Sequence, residues 1–205
     1  VNAAVLERLP ELQVISKYGV GLDTLDMNAM RAHGKRLGWT AGVNRRSVSE
    51  LTLSLAICVL RQVATAHREV VSGRWAQRVG GLLTGRTVGI VGCGHVGKDF
   101  ATLLKPFECR ILAHDLRDDA DFYRANGIVA CNLEALLADS DIVTLHLPLD
   151  ASTRGILNAD RLALLKPGAV LINTARGGLV DEDCLKRMLM DKRLAGAAFD
   201  VFSNE

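Results

Sequence analysis

Paired cysteines, a long apolar run and a strong excess of charge are all missing from this sequence of 205 residues. The five cysteines include no C-x-x-C pair, which argues against a disulfide framework and against a zinc site. The longest apolar run, 51–60, is far too short to span a bilayer. The net charge of +2 is too small to attract nucleic acid or a membrane surface. We therefore expect no metal, no nucleic-acid partner and no membrane partner.

The remaining composition is that of a soluble globular protein. Apolar residues make up 49% of the chain and charged residues 23%, so a sizeable core is expected. No secretory signal is visible, and the scattered cysteines fit buried reduced thiols, which predicts a cytoplasmic protein. The sequence starts at Val1 without Met and stops at Glu205, just after a predicted strand, so we expect a chain truncated at both ends.

A glycine-rich turn follows the predicted strand 87–91 and opens a helix. Gly92, Gly94 and Gly97 have the spacing G-x-G-x-x-G. In a dinucleotide site the first glycine permits a tight turn, the second admits a pyrophosphate, and the third lets helix and strand pack closely. Asp115 lies 18 residues after Gly97, at the end of the next strand, where a ribose-binding acid is expected. A plain turn between strand and helix, without a ligand, is the alternative interpretation.

Strands and helices alternate regularly after this turn. The alternation predicts a parallel sheet with right-handed crossovers, a doubly wound α/β fold. Ligands of such sheets bind beyond the carboxyl ends of the strands, so Asp115, His146, residues 174–176 and Asp200 should surround one crevice. The predicted strands are 110–114, 128–130, 141–147, 169–174 and 196–201, and the predicted helices are 118–126, 133–139, 159–165 and 181–191.

A long helix is predicted upstream of the glycine turn. The pattern S-x-x-E from Ser47 to Glu50 indicates a capping box that opens a helix over 48–71. Its first half is apolar nearly all round, as in a helix that lies between domains or subunits. The glycine-rich stretch 80–85 then predicts an irregular hinge. The elements expected before the helix are a strand at 12–17, a helix at 26–33 that Asp26 caps and Gly34 ends, and a strand at 36–40.

Several segments resemble the D-2-hydroxyacid dehydrogenases, the family that includes phosphoglycerate dehydrogenase. They are VGCGHVGK, LHLPLDASTRGILN, LKPGAVLINTARGGLVDEDCL and LAGAAFDVFSNE, with KYGVGLDTLD, NRRSVSELT and SGRW upstream. The resemblance implies a Rossmann domain that binds NAD, inserted into a split α/β substrate domain, and a homodimer. It implies part of the substrate domain at 1–45, a linking helix and hinge at 46–84, and the NAD-binding domain at 85–205.

The resemblance also implies a reaction and its catalytic groups. Enzymes of this family transfer a hydride between NAD and a small D-2-hydroxy acid or 2-keto acid. Of the family's catalytic Arg, Glu and His, the first two match Arg176 in the A-R-G-G motif and Glu205 in the D-V-F-x-x-E motif. The His belongs to a P-H motif that none of the five histidines matches, so the chain is expected to be inactive alone.

The ligand-binding residues expected from the resemblance fall into two sets. The cofactor set is Gly92, Gly94, His95, Val96, Gly97, Asp115, His146, Pro148, Thr153, Thr174, Ala175, Arg176 and Asp200. The substrate set is Val20, Gly21, Asn44, Arg46 and Arg176. Simpler interpretations are a surface arginine at 176, a solvated acid at 115 and a solvated basic pair at 45 and 46.

Two classes of function stay open at this point. Corepressors of the C-terminal-binding-protein type resemble the same fold and motifs, and such a protein would sense NAD and bind other proteins. Within the enzyme interpretation, phosphoglycerate, glyoxylate or hydroxypyruvate, and lactate are alternative substrates. The NRRSVSE loop resembles that of phosphoglycerate dehydrogenases and favours the first of these.

Overall fold

The computed structural model describes residues 1–117 and 119–204, and the chain divides into two compact units. The first unit is Val1–Arg45 and the second is Arg46–Glu205.

The first unit is a small parallel two-stranded sheet with two short helices. Asp26 caps the second helix by accepting the Ala29 N–H at 2.9 Å, and Gly34, at φ +63°, follows its end, so both predicted boundary residues are confirmed. The first helix was not predicted, and both strands are shorter than expected. The elements are α1 (Ala3–Glu7), β1 (Val14–Ser16), α2 (Met27–Ala32) and β2 (Arg36–Gly38), around a core of Leu6, Ala29 and Met30.

The second unit is a doubly wound α/β domain, as predicted. In the described part of the chain its sheet has six strands, all parallel, in the order β5-β4-β3-β6-β7-β8. The strands are β3 (Thr87–Val91), β4 (Arg110–His114), β5 (Ile128–Ala130), β6 (Ile142–Leu145), β7 (Val170–Asn173) and β8 (Gly196–Phe199). The helices are α3 (Arg45–Leu60), α4 (Val63–Val71), α5 (His95–Leu103), α6 (Ala120–Asn126), α7 (Leu133–Asp139), α8 (Ala159–Ala163) and α9 (Glu182–Met190), with a 3₁₀ turn at Lys105–Phe107.

The single long helix predicted over 48–71 is wrong, because the chain breaks it into α3 and α4. Gln62 adopts a left-handed conformation with φ 54°, and the two helix axes differ by 61°. The Leu60 carbonyl accepts the Gly81 N–H at 2.9 Å. The capping box is also wrong, since the helix starts at Arg45 and Ser47 lies inside its first turn. The predicted irregular segment is confirmed, because no helix or strand is assigned between α4 and β3 among these described residues.

Membrane-spanning length is not reached by any single helix in the described residues. The bent pair α3 and α4 reaches it only when the two helices are counted together.

The sheet of the second unit has an apolar cluster on each face. On one face, Phe100 of α5 and Leu104 just after it pack against Ile90 of β3, and all three side chains are fully buried. On the other face Leu136 and Leu162 come from α7 and α8. Removing a buried phenylalanine side chain such as that of Phe100 typically costs about 3–5 kcal/mol, so this packing holds the glycine turn and its helix in place.

Candidate nucleotide-binding and active site

The glycine turn between β3 and α5 leaves space on only one side. Gly92 has φ +92°, and a Cβ there would lie 2.7 Å from the carbonyl oxygen of His146. A Cβ on Gly97 would lie 2.3 Å from the carbonyl oxygen of Gly92, so helix and strand can approach only with glycine. A Cβ on Gly94 would meet nothing within 4 Å among the residues that the structure describes, and Gly94 is the N-cap of α5. The open side at the helix start fits the phosphates of a dinucleotide.

The strand order brings the predicted crevice residues to one edge of the sheet. β3 pairs with β4 on one side and β6 on the other, and this reversal of strand order is where doubly wound sheets bind ligands. The Gly92 N–H donates to the His114 carbonyl and the His146 N–H to the Val91 carbonyl, both at 2.8 Å. Leu145, Asn173 and Phe199 are aligned across β6, β7 and β8, so the residues that follow each of them lie along the same edge.

Asp115 lies beside a cavity of about 280 Å³ at the ends of β4 and β5. One carboxylate oxygen accepts the Arg117 N–H at 2.9 Å, which orients the side chain. The cavity is also lined by Ala113, Tyr123, Ala130 and Cys131, which the sequence did not single out. A cavity beside the acid that was predicted to bind ribose has the position needed for the adenosine end of a dinucleotide.

His146, just after β6, is a neutral group at physiological pH. Its Nε2 lies 3.0 Å from the Thr144 hydroxyl oxygen, and its ring centroid is 5.8 Å from that of Phe100. Burial lowers the pKa of His146 to about 3. The imidazole therefore shapes the crevice next to the glycine turn, and it is not protonated at neutral pH as a general acid must be.

The loop after β6 is closed by Thr153. Its hydroxyl donates to the Pro148 carbonyl at 2.7 Å and accepts the Asp150 N–H at 2.9 Å. Hydrogen bonds from the Ser152 hydroxyl and backbone hold the pKa of the Asp150 carboxyl below its usual value. Thr153 is thus buried within the loop and sets its shape, whereas Pro148 is exposed at the start of the loop.

The turn that carries Arg176 is held by the buried Asn173. Its side-chain amide donates to the Arg176 carbonyl at 2.8 Å, and its side-chain oxygen accepts the Ala175 N–H at 3.0 Å. The Thr174 hydroxyl oxygen lies 2.9 Å from the hydroxyl oxygen of Thr52 in α3. Because Thr52 donates its own hydrogen to the Val48 carbonyl, Thr174 is the donor in that contact. No role was predicted from the sequence for Asn173 or for Thr52. A usable signal existed for Asn173, because it is a polar residue at the end of an apolar strand.

The segment after β8 crosses directly over the glycines that follow Arg176. A Cβ on Gly177 would lie 1.9 Å from the Phe202 carbonyl oxygen, so no larger residue fits there. The Ser203 hydroxyl accepts the Gly178 N–H at 3.0 Å and donates to the Glu182 carboxylate at 2.8 Å. Glu182 was not predicted to have a role.

Asp200 and Glu205 are the last two residues that were predicted to belong to this site. The Asp200 N–H donates to the Asn173 carbonyl at 3.0 Å, and the Asp200 residue is exposed at the end of β8. The predicted catalytic Glu205 lies outside the described residues.

Most of the predicted substrate residues belong to the first unit. Val20 and Gly21 follow β1, and Asn44 lies in the turn after β2, so the two loops leave the same edge of the small parallel sheet. The Val20 carbonyl accepts the Trp39 indole N–H at 3.1 Å. Arg46, in the second unit, pairs with Asp99 of α5 at 3.0 Å.

The fold and the site together define a dinucleotide-binding α/β protein. The comparisons with known proteins identify its family. Residues 53–205 match the family described as D-isomer specific 2-hydroxyacid dehydrogenase, NAD binding domain. The chain therefore belongs to the D-isomer specific 2-hydroxyacid dehydrogenase family and carries its NAD-binding domain.

Individual relatives extend the similarity to the whole chain. The chain is 37% identical to a glyoxylate reductase of Thermofilum pendens, with 100% of the chain and 62% of that protein covered. It is 35% identical to human D-3-phosphoglycerate dehydrogenase, with 100% of the chain and 39% of that protein covered. A crystal structure of a glyoxylate reductase from Paecilomyes thermophila superposes with a TM-score of 0.91 at 30% identity, covering 100% of the chain and 63% of that structure. The chain thus spans about two fifths to two thirds of the length of these relatives.

Proposed function

We propose that the full-length protein is an NAD-dependent dehydrogenase that interconverts a small D-2-hydroxy acid and the corresponding 2-keto acid. The observation that carries this proposal is the position of the Arg176 turn, which leaves β7 at the same sheet edge as the glycine turn. A guanidinium there can hold a carboxylate with two parallel hydrogen bonds. The dehydrogenase and reductase relatives support the same activity and give no support to a corepressor.

Each residue set has a separate task in this proposal. The backbone N–H groups of the turn from Gly92 to Gly97 would hold the pyrophosphate, and Asp115 would accept hydrogen bonds from the ribose. NAD, when bound, accepts or supplies the hydride. Arg176 would hold the substrate carboxylate in register, while Asn173 and Thr174 keep its turn in place. The proton-transfer histidine is proposed to be absent from this chain, which should bind NADH without turnover.

The direct test of the function is a panel of 2-keto acids assayed with the full-length protein. We expect oxidation of NADH with at least one of glyoxylate, hydroxypyruvate, 3-phosphohydroxypyruvate and pyruvate, followed by absorbance at 340 nm. The matched control omits the keto acid. Tight NADH binding without oxidation in any of these assays would contradict the enzyme proposal and favour an NAD-sensing binding protein.

Asp115 is expected to make the protein prefer NAD over NADP. Its carboxylate would accept charge-assisted hydrogen bonds from the ribose hydroxyls and repel a 2′-phosphate. Losing such bonds in Asp115→Ala should weaken NADH binding by about 10- to 100-fold. Dissociation constants for NADH and NADPH, measured by fluorescence titration, check this. Arg117→Ala is the matched control, because an arginine beside the ribose can accept a 2′-phosphate; equal constants for the two cofactors in the unchanged protein would refute the preference.

A homodimer through the nucleotide-binding domain is proposed as the assembly in solution. The segment after α4 exposes Trp75 at 87% and Val79 at 89%, an unusual amount of apolar surface for a monomer. The buried Glu69 pairs with Arg78 through two hydrogen bonds of 2.5 and 2.6 Å, which orders this apolar segment, and that pairing lowers the pKa of Glu69. The apolar side chains of α3 that pack against the core are only partly buried, and we propose that a second copy covers what they leave exposed.

The dimer proposal predicts that Trp75→Asp dissociates the protein. Light scattering at micromolar concentration should give the dimer mass for the unchanged protein and the monomer mass for the variant. Val129→Asp, which changes an exposed apolar residue on the edge strand β5, should remain a dimer. A monomer mass for the unchanged protein would rule the assembly out.

A cytoplasmic location is proposed as well, and it is supported by the five cysteines, which are all free.

A further inference from the structure

One serine fastens the segment after β8 to two places near the Arg176 turn. The Ser203 N–H and the Ser203 hydroxyl both donate to the Glu182 Oε1 atom, at 2.9 and 2.8 Å. The same hydroxyl accepts the Gly178 N–H at 3.0 Å. Ser203 lies 21 residues after Glu182 and 25 residues after Gly178 in the chain. We call these three hydrogen bonds the Glu182–Ser203 link, and they join the end of β8, the Arg176 turn and α9.

The segment on either side of this link has little freedom to move. A Cβ on Gly177 would lie 1.9 Å from the Phe202 carbonyl oxygen, so the two backbones are in contact there. The rings of Phe199 and Phe202 stack with their centroids 6.2 Å apart. At the end of β8 the Asp200 N–H donates to the Asn173 carbonyl at 3.0 Å. A shift of the segment after β8 therefore disturbs the Arg176 turn beneath it.

The direction of the Arg176 side chain depends on the backbone of its own turn. The Arg176 Nη1 atom donates to the Ala175 carbonyl at 2.6 Å, which holds the guanidinium against that backbone. Asn173 fixes the start of the turn through the Ala175 N–H and the Arg176 carbonyl. Ser203 fixes its end through the Gly178 N–H. A turn held at both ends presents the guanidinium donors in a restricted set of orientations.

The start of α9 does not itself require the Glu182 carboxylate. Asp181 is the N-cap of this helix and accepts the Cys184 N–H at 2.9 Å. Glu182 and Asp183 both add negative charge to the first turn of the helix, where the dipole favours an acid. Glu182 contacts Ser203, whereas Asp183 is exposed. The two neighbouring acids thus differ in the link, although they share the same position relative to the helix dipole.

We infer that Glu182 and Ser203 are positioning residues that hold the Arg176 turn in place for the reaction. The inference rests on the proposed dehydrogenase function and adds two residues to its machinery. Neither residue touches the substrate; both act through the backbone of the Arg176 turn. The link affects how the keto acid is oriented and not how NADH binds, because the glycine turn and Asp115 follow other strands.

The test measures kcat and NADH binding separately in the full-length enzyme. For Glu182→Ala we expect the kcat with the best keto acid to fall about ten-fold, because a turn free to shift orients the substrate less well. The dissociation constant of NADH should stay near the unchanged value. Glu182→Gln should keep most of the kcat, since its side-chain oxygen can still accept both hydrogen bonds. Asp183→Ala removes an acid from the same helix turn, so it is the matched control and should keep the kcat.

A serine substitution shows whether the two residues act together. Ser203→Ala should also lower the kcat, and it should lower it less in the Glu182→Ala background than in the unchanged enzyme. Each kcat is calculated per NADH-binding site, so a loss of folded protein does not count as a loss of turnover. Ser203→Ala, which removes only a hydroxyl, decides the outcome if Glu182→Ala does not fold.

Three results would overturn the positioning role. They are an unchanged kcat in Ser203→Ala and in folded Glu182→Ala, an equal loss in Glu182→Gln and Glu182→Ala, and an equal loss in the Asp183→Ala control. A loss of NADH affinity as large as the loss of kcat would also overturn it, because the link would then support only the fold of the domain. Absence of NADH oxidation by the unchanged enzyme with every keto acid would instead refute the proposed function itself.

Discussion

Replacing Arg176 with lysine should reduce kcat/KM of the full-length enzyme by about 100-fold, because lysine keeps the charge but loses the two-pronged hydrogen bond. A substrate held by one contact can rotate, and small errors in position are costly for hydride transfer. The dissociation constant of NADH should change little. Asn173 holds the Arg176 turn through its backbone carbonyl, so the turn itself should survive the substitution.

The measurements for this prediction are steady-state kinetics with the best keto acid and a separate NADH titration. Arg110→Lys provides the matched control, since it makes the same chemical change in an exposed pair on β4. Turnover of Arg176→Lys within a few-fold of the unchanged enzyme would remove Arg176 from the catalytic assignment. A parallel loss of NADH binding would indicate instead that the turn had collapsed.

The 205-residue chain, produced as it stands, should bind NADH and show no measurable dehydrogenase turnover. In our proposal the glycine turn, Asp115 and its cavity would provide the cofactor half of the site. We do not expect His146 to take the role of the acid–base histidine that we propose lies outside these residues, because burial lowers its pKa to about 3. General acid–base catalysis alone contributes about 10²–10⁴-fold, so its loss should be plain in the assay.

Two assays on the same preparation test this expectation. Fluorescence titration should give saturable NADH binding, and Gly97→Ala should abolish it because a Cβ would press against the Gly92 carbonyl. The keto-acid panel should then give no NADH oxidation, while the full-length protein is active. Full turnover by the 205-residue chain would show that the assignment of proton transfer to a histidine outside it is wrong.

Sequence alone determined the nucleotide-binding fold and the centre of its site. Strand periodicity, glycine spacing and helix caps such as Asn132, which accepts the Ala135 N–H at 2.7 Å, are local signals. The parallel order of strands then follows, because crossovers of this length have one preferred hand. Asp115 and His146 were predicted correctly at the carboxyl ends of their strands for this reason.

Only the tertiary structure decided the features that depend on residues far apart in the chain. The break at Gln62 occurs where Gly81 takes the Leu60 carbonyl, and no periodicity within the helix signals that competitor. The bond between Thr52 and Thr174 spans 122 residues, and the pair of Arg46 and Asp99 spans 53. Hydrophobic patterning specifies which face of an element is buried, but it does not specify which polar group meets which across that face. The long-range partners of buried polar groups, such as the Thr52 hydroxyl that Thr174 contacts beside the Arg176 turn, were therefore set by packing.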